Sequence, residues 1–229
     1  MTSEEIIIHL LCAVDDGMGK VAKHPQAKLY LSEVVTIGLL LARKGGYFRA
    51  FYRWLKRDFE GLFVHLPECT RLQRLLHTHQ GWCERFLAEP TFFTVMDTYG
   101  IELLHPVRED RAQTPLGKQG KSNRRWIVGV TLCGLVNDRG QVLAWDWNTA
   151  NVHDQHFRPV AHQFDEQTIT LSDRGFYQAG EAARNLKLCA HKTWRERMIV
   201  ETMLSLVTRG CRLNHLFHRL EPYLTTHLA

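Results

Sequence analysis

Three acidic residues stand where the sequence could use them together. Asp97 closes the run TFFTVMD and Asp173 closes TITLSD. Both runs are apolar and rich in β-branched or aromatic residues, so each reads as a strand ending in its aspartate. A Gly-bearing stretch follows each one (DTYG, DRG) and reads as a turn. In mixed α/β sheets the carboxyl ends of strands open onto the crevice where ligands bind. Two aspartates at neighbouring strand ends repel one another unless a cation lies between them. The third acid, Glu201, lies in WRERMIVETMLSLVTR, whose spacing reads as an amphipathic helix. Trp194, Arg197, Ser205 and Thr208 share its face at seven before, four before, four after and seven after. Ile199, Val200, Met203, Leu206 and Val207 cover the opposite side and are expected to pack on the sheet. Alone, Arg197 and Glu201 read as a surface pair worth about 0.2–0.5 kcal/mol. Beside two strand-end aspartates, Glu201 reads as a third ligand. An all-oxygen set suits Mg²⁺ or Mn²⁺ rather than zinc. Two such ions, about 4 Å apart, activate an attacking oxygen and stabilise the leaving one in phosphoryl transfer.

Other acids have simpler readings. Asp154 follows Asn151 and His153 at a strand-to-helix joint, where an N-cap role accounts for it. Asp138 reads as a turn residue. With Asp146, both stay outside the catalytic set. Lys118, Lys121, Arg124 and Arg125 lie in a polar, Gly-containing stretch from Arg108 to Arg125 that reads as a loop. Such a loop either follows a phosphate backbone or is a solvated surface segment.

The elements that must position these residues fall into two regions. Residues 1–88 read as all-helical, with EEIIIHLLCAV, SEVVTIGLLLARK and FRAFYRWLKRDFEGLF in helical period. Ser32 is the expected N-cap of the second helix, and Gly45-Gly46 parts it from the third. Short helices with tight joints suggest a helix-turn-helix-like, DNA-binding bundle. Arg43, Lys44, Arg49, Arg53, Lys56 and Arg57 form either a DNA-docking helix or a solvated basic face. Residues 89–229 read as α/β. TFFTVMD is a strand and IELLHPV a short second strand or part of a loop, WIVGVTLCGLV and QVLAWDWN are a hairpin joined by NDRG, and TITLSD and LKLCAH are further strands. VHDQHFRPVAHQF, YQAGEAARNL and the Glu201 segment are helices. Strands first and alternation later give a mixed sheet flanked by helices.

Composition sets the outer bounds. The chain has 229 residues, 45% hydrophobic and 23% charged, the balance of a folded protein. A net charge of +5 leans towards a polyanionic partner without requiring one. Six cysteines are scattered with no CxxC pair, so neither a zinc ribbon nor a thioredoxin-type site is indicated. The start, MTSEEIII, lacks the basic residues of a secretory signal. No apolar run approaches the ~20 residues of a membrane span. Cytoplasmic location and no membrane partner are expected. Of the thirteen histidines, pairs such as His77/His79 and His215/His218 could bind a metal but read first as surface or core residues, and a zinc-binding regulator built on them lacks the usual ligand spacing.

Four motifs together carry a resemblance. TVMDTYGIELL, GLVNDRGQVLAWDWNTANVHD, TLSDRGFYQAG and WRERMIVE resemble the conserved segments of bacterial insertion-sequence DDE transposases, the group with a Tyr-Arg-Glu-Lys signature. Trp194 stands where that signature has Tyr. Arg197 and Glu201 match it, and its Lys falls on Thr208 with Arg209 beside it. The resemblance covers residues 90 to 210 and implies an RNase H-like catalytic domain. It implies that Asp97, Asp173 and Glu201 hold two Mg²⁺ or Mn²⁺ ions. The implied activity is metal-dependent cleavage at element ends followed by strand transfer. The implied partners are double-stranded DNA, as terminal inverted repeats and as target, and a second copy of the chain on DNA. Lys118, Lys121, Arg124, Arg125, Trp194 and Arg197 are the expected DNA contacts. Two alternatives remain: an RNase H-like nuclease that cuts without joining, and a catalytically inactive DNA-binding remnant or transposition inhibitor, which the Thr208 departure favours.

Overall fold

Helical spacing in the first part of the chain builds four helices: α1 (Ser3–Met18), α2 (Leu31–Lys44), α3 (Phe48–Asp58) and α4 (Cys69–His79), with a 3₁₀ segment at Gln80–Phe86. The computed structural model describes residues 2–19, 21–107, 116–122, 125–177, 184–189, 194–213, 216 and 218–229. A capping box starts α1: the Thr2 hydroxyl accepts the Glu5 amide at 3.2 Å, and the Glu5 carboxylate accepts the Thr2 amide at 2.8 Å. The start of α2 departs from expectation. Tyr30, not Ser32, takes the cap position, because the Glu33 carboxylate accepts the Tyr30 amide at 2.6 Å. Ser32 is buried within the first turn. The bundle core is formed by Ile37, Phe51, Leu55, Phe63 and Leu72, and the basic stretch beside it carries Lys44 over the Trp54 ring at 4.0 Å.

The chain divides into two units, Met1–Phe86 with His215–Ala229, and Leu87–Asn214. Sequence reasoning put the division at 88/89 and gave the rest to the sheet region. The difference at the far end has a packing cause. α7 (Glu221–Leu228) packs on α2 and α4. Thr226 donates to Gln80 Oε1 at 2.7 Å and lies 3.1 Å from His77 Nδ1. Leu224 is fully buried.

The second unit is a six-stranded mixed sheet with helices: β1 (Phe93–Leu104), β2 (Lys118–Ser122), β3 (Arg125–Asn137), β4 (Val142–Thr149), β5 (Ile169–Ser172) and β6 (Leu186–Leu188). β3 runs antiparallel to β1 along one edge; β2 and β4 share its other edge in succession. β5 runs parallel to β1, and β6 parallel to β5. The β3–β4 hairpin is tied by Asn137, whose Oδ1 accepts the Arg139 and Gln141 amides at 3.0 and 2.9 Å. α5 (Arg158–His162), after a 3₁₀ turn at Asp154–Phe157, places Phe157 and Val160 on Met96, Cys133 and Leu135. α6 (Trp194–Gly210) packs against β1, β3 and β5.

Three local expectations change. TFFTVMD and IELLHPV are one continuous strand, β1, so Asp97 is interior to it and DTYG is not a turn. Gly100 serves close approach instead: a Cβ there would collide with the Ser122 hydroxyl. The basic stretch is not loop throughout. Lys118–Ser122 pairs with the first residues of β3, from Lys118 opposite Gly129 to Ser122 opposite Arg125. Residues 108–115 and Asn123–Arg124 lie outside the described residues, as does most of the expected helix YQAGEAARNL. Leu206 does not pack on the sheet; it is 59% exposed. Among the described residues no helix is long and apolar enough to cross a membrane.

Candidate carboxylate site

The parallel register of β1 and β5 builds the site. Phe93 to Met96 pair with Ile169 to Ser172, and the ladder stops there. The next residue on each strand is an aspartate, Asp97 and Asp173. Period-two alternation puts both on the face opposite buried Met96 and Ser172. Past this point β1 continues along β3, with Asp97 opposite Gly134. The other chain turns away into a 3₁₀ segment, Arg174–Phe176, and Asp173 caps it by accepting the Gly175 amide on Oδ1 at 2.8 Å. Asp97 Oδ1 accepts the amide of Thr98 at 2.7 Å.

A fourth carboxylate, missed from sequence, joins them. The expected N-cap role of Asp154 is not what its side chain does: His153 holds the cap position and Asp154 opens the 3₁₀ turn. The Thr98 hydroxyl donates to Asp154 Oδ1 at 2.9 Å. On its other side Asp154 lies against Gly175. A Cβ on Gly175 would sit 2.5 Å from Asp154 Oδ2 and 3.0 Å from Asp173 Oδ1, so a side chain here would press on the Asp154 carboxylate first. The sequence signal was present in NVHD, but a short acidic residue at a strand-to-helix joint has a commoner explanation.

Crowding of acids shows in the electrostatics. Burial pushes the Asp97 carboxyl up to about 7, and the charges of Asp173, Asp154 and Glu201 push the same way against the Thr98 amide. Burial also raises Asp154, with Asp173 adding to it and the Thr98 hydroxyl and His153 opposing. Among the described residues no Lys or Arg ion-pairs with Asp97, Asp154 or Asp173. Glu201 is exposed on α6, and its charge reaches Asp97. Thr208, seven residues on, is buried and donates to the Ser205 carbonyl at 3.2 Å. The polar face expected around Glu201 therefore turns inward two helical turns later.

The other expected contacts are distributed as follows. Lys118 and Lys121 are exposed on β2, and Trp126, 61% exposed, stands directly opposite Lys121. Arg125 lies 3.5 Å from the Glu102 carboxylate. Arg124 and the side chains of Trp194 and Arg197 lie outside the described residues. Asp146 is exposed, with Oδ1 accepting the Trp147 amide at 2.8 Å, and Asp138 lies in the β3–β4 turn.

Asp97, Asp173 and Glu201 are thus brought within electrostatic range, together with Asp154. Among the described residues no three His, Cys, Asp or Glu side chains converge tightly enough to hold a metal ion as they stand. The chemistry of Asp97, Asp173 and Glu201, oxygen-only donors with a half-buried member pushed towards neutrality, is of the type that a hard divalent cation satisfies. No family model, curated protein or solved structure matches this chain.

Proposed function

We propose that this chain is a DNA transposase of an insertion sequence, cleaving element ends and transferring strands into target DNA with Mg²⁺ or Mn²⁺ at Asp97, Asp173 and Glu201. The observation that carries the reading is the placement of Asp97 and Asp173 immediately past the last paired residues of two parallel strands, with Glu201 in electrostatic reach. The sheet supports it as well. Antiparallel pairing of β1, β2 and β4 with β3, followed by β5 and β6 running parallel to β1, is a mixed sheet compatible with an RNase H-like domain. The oxygen-only donors fit a hard divalent cation.

Each aspartate has one oxygen taken by a backbone amide, which leaves Oδ2 of both for a ligand. Glu201 approaches from α6. When bound, the ions supply charge stabilisation at the attacking and leaving oxygens of a phosphodiester. The protein's own part is to orient the carboxylates through the Thr98 and Gly175 amides and to bind phosphates through basic side chains. Lys118 and Lys121 are exposed and suited to the DNA backbone, as are Arg124, Trp194 and Arg197 by resemblance. The protein acts in the cytoplasm, as a dimer that brings two ends together.

The second reading, a DNA-binding remnant or inhibitor, is favoured by one feature. A buried threonine, Thr208, stands where the resemblance expects a lysine. Incubation of supercoiled plasmid carrying the element ends with Mg²⁺ or Mn²⁺ separates the two. Cutting and joining that disappear in Asp173→Asn support the transposase. Binding without cutting in both proteins supports the remnant, and cutting by Asp173→Asn at the wild-type rate removes Asp173 from the site.

A further inference from the structure

We infer that Asp154 is a positioning residue that clamps the two aspartate-bearing segments at a fixed separation, through the Thr98 hydroxyl on one side and Gly175 on the other. The inference rests on the reading of Asp97 and Asp173 as the catalytic pair. The need for a clamp follows from the register. The ladder between β1 and β5 has Met96 and Ser172 as its last paired residues, so Asp97 and Asp173 are not themselves a pair of that ladder. Beyond this point the two segments diverge, one along β3 and one into a 3₁₀ turn.

Asp154 bridges the gap. Its Oδ1 accepts from Thr98, the residue next to Asp97 and the donor of the amide that orients Asp97 Oδ1. Its Oδ2 abuts Gly175, the donor of the amide that orients Asp173 Oδ1. It therefore touches the immediate support of each aspartate. It also comes from the other side of the sheet. Thr98 shares its face with Met96, and Met96 packs on Phe157 and Val160 of the segment that Asp154 begins. The buried Phe157 anchors the clamp in the core. Asp154 thus supports the pair from the Met96 face. Residues that fix the orientation of metal ligands typically change metal affinity or activity by about 10- to 100-fold when removed.

The test compares wild type, Asp154→Ala, Asp154→Asn and Thr98→Val in the full chain, by Mn²⁺ binding followed by electron paramagnetic resonance and by plasmid cleavage. Thermal unfolding is measured alongside to establish that each variant is folded. Asp154→Ala and Thr98→Val are expected to weaken Mn²⁺ binding about 10- to 100-fold. Asp154→Asn, whose amide oxygen still accepts from Thr98, is expected to restore binding to within about threefold of wild type, well inside that loss. Wild-type Mn²⁺ affinity in a folded Asp154→Ala overturns the clamp and leaves the transposase reading standing. Equal loss in Asp154→Asn and Asp154→Ala also overturns it, because the charge itself would then be the requirement. A wild-type protein that neither binds Mn²⁺ nor cuts overturns the catalytic reading, and the clamp with it.

Discussion

Asp97 and Asp173 occupy equivalent positions on two parallel strands, each one residue past the last register pair, Met96 with Ser172. Neighbouring strands run about 4.8 Å apart, so the two carboxylates are held near one another by backbone geometry and not by any attraction between them. Without a cation this arrangement costs stability. The Asp97 carboxyl is pushed up to about 7, well above its unfolded value, chiefly by burial. A group whose folded pKa is raised contributes most below its unfolded pKa and loses that contribution as pH rises through the folded one. Metal-free protein should therefore lose stability between about pH 4 and pH 7 on account of this group. Asp97→Asn, which mimics the protonated form, should be more stable than wild type at pH 8 in EDTA by roughly 2–4 kcal/mol, with the difference gone at pH 4. Calorimetry over that range checks it. Addition of Mg²⁺ should stabilise wild type and leave the variant unmoved.

Gly175 has no room for a side chain between Asp154 and Asp173. Gly175→Ala should displace one of the two carboxylates and cost about 10- to 100-fold in cleavage rate, as loss of other groups that orient a metal site does. Thermal unfolding measured alongside separates this effect from loss of the fold, since Phe176 of the same turn is buried in the core. Full activity in the alanine variant would show that neither carboxylate needs its present place.

The two exposed lysines of β2 make a prediction about binding rather than catalysis. Lys118→Ala and Lys121→Ala should each lower DNA affinity about equally for all sequences and reduce the slope of log K against log salt by about 1. Arg125→Ala should change the slope less, since its guanidinium already faces Glu102. Filter binding at several salt concentrations reads all three.

Outside the sheet unit, His218 and His227 share a hydrogen bond at 3.0 Å, and burial lowers their pKa values to about 4 and about 3. Both are neutral in the folded state. The unfolded chain binds more protons below about pH 6.5, so the helical unit should be stable above that pH and weaken as pH falls towards 4. The slope is up to about 1.4 kcal/mol per pH unit for each histidine. His227→Phe should flatten the acid limb of the unfolding curve; an unchanged limb would assign acid lability elsewhere.

What the sequence made legible follows from what local pattern encodes. Alternation and apolar runs marked β3, β4 and β5, and helical period marked α1 to α3 and α6. Asp173 was placed at a strand end because β5 does stop at Ser172. Asp97 was misplaced relative to its strand because a glycine three residues later looks like a turn, whereas Gly100 answers to a neighbour, Ser122, from another strand. That is long-range packing, which local pattern does not carry. The same limit hid Asp154, whose partner Thr98 is 56 residues away in sequence. β2 was unreadable for a related reason. KQGKS has neither apolar alternation nor β-branched residues, and its strand geometry comes from the edge of β3.

The return of His215–Ala229 to the helices of Met1–Phe86 makes the sheet unit an insert within another domain. A ribosome making this chain finishes α1 to α4 first, then must thread out the whole of Leu87–Asn214 before α7 emerges. During that interval the surfaces of α2 and α4 that α7 covers stay open to water or to other chains. Order of synthesis thus runs against order of assembly: the helical unit starts first and closes last. A fragment cut at Phe86 should be aggregation-prone, and supplying residues 215–229 as a peptide should rescue it.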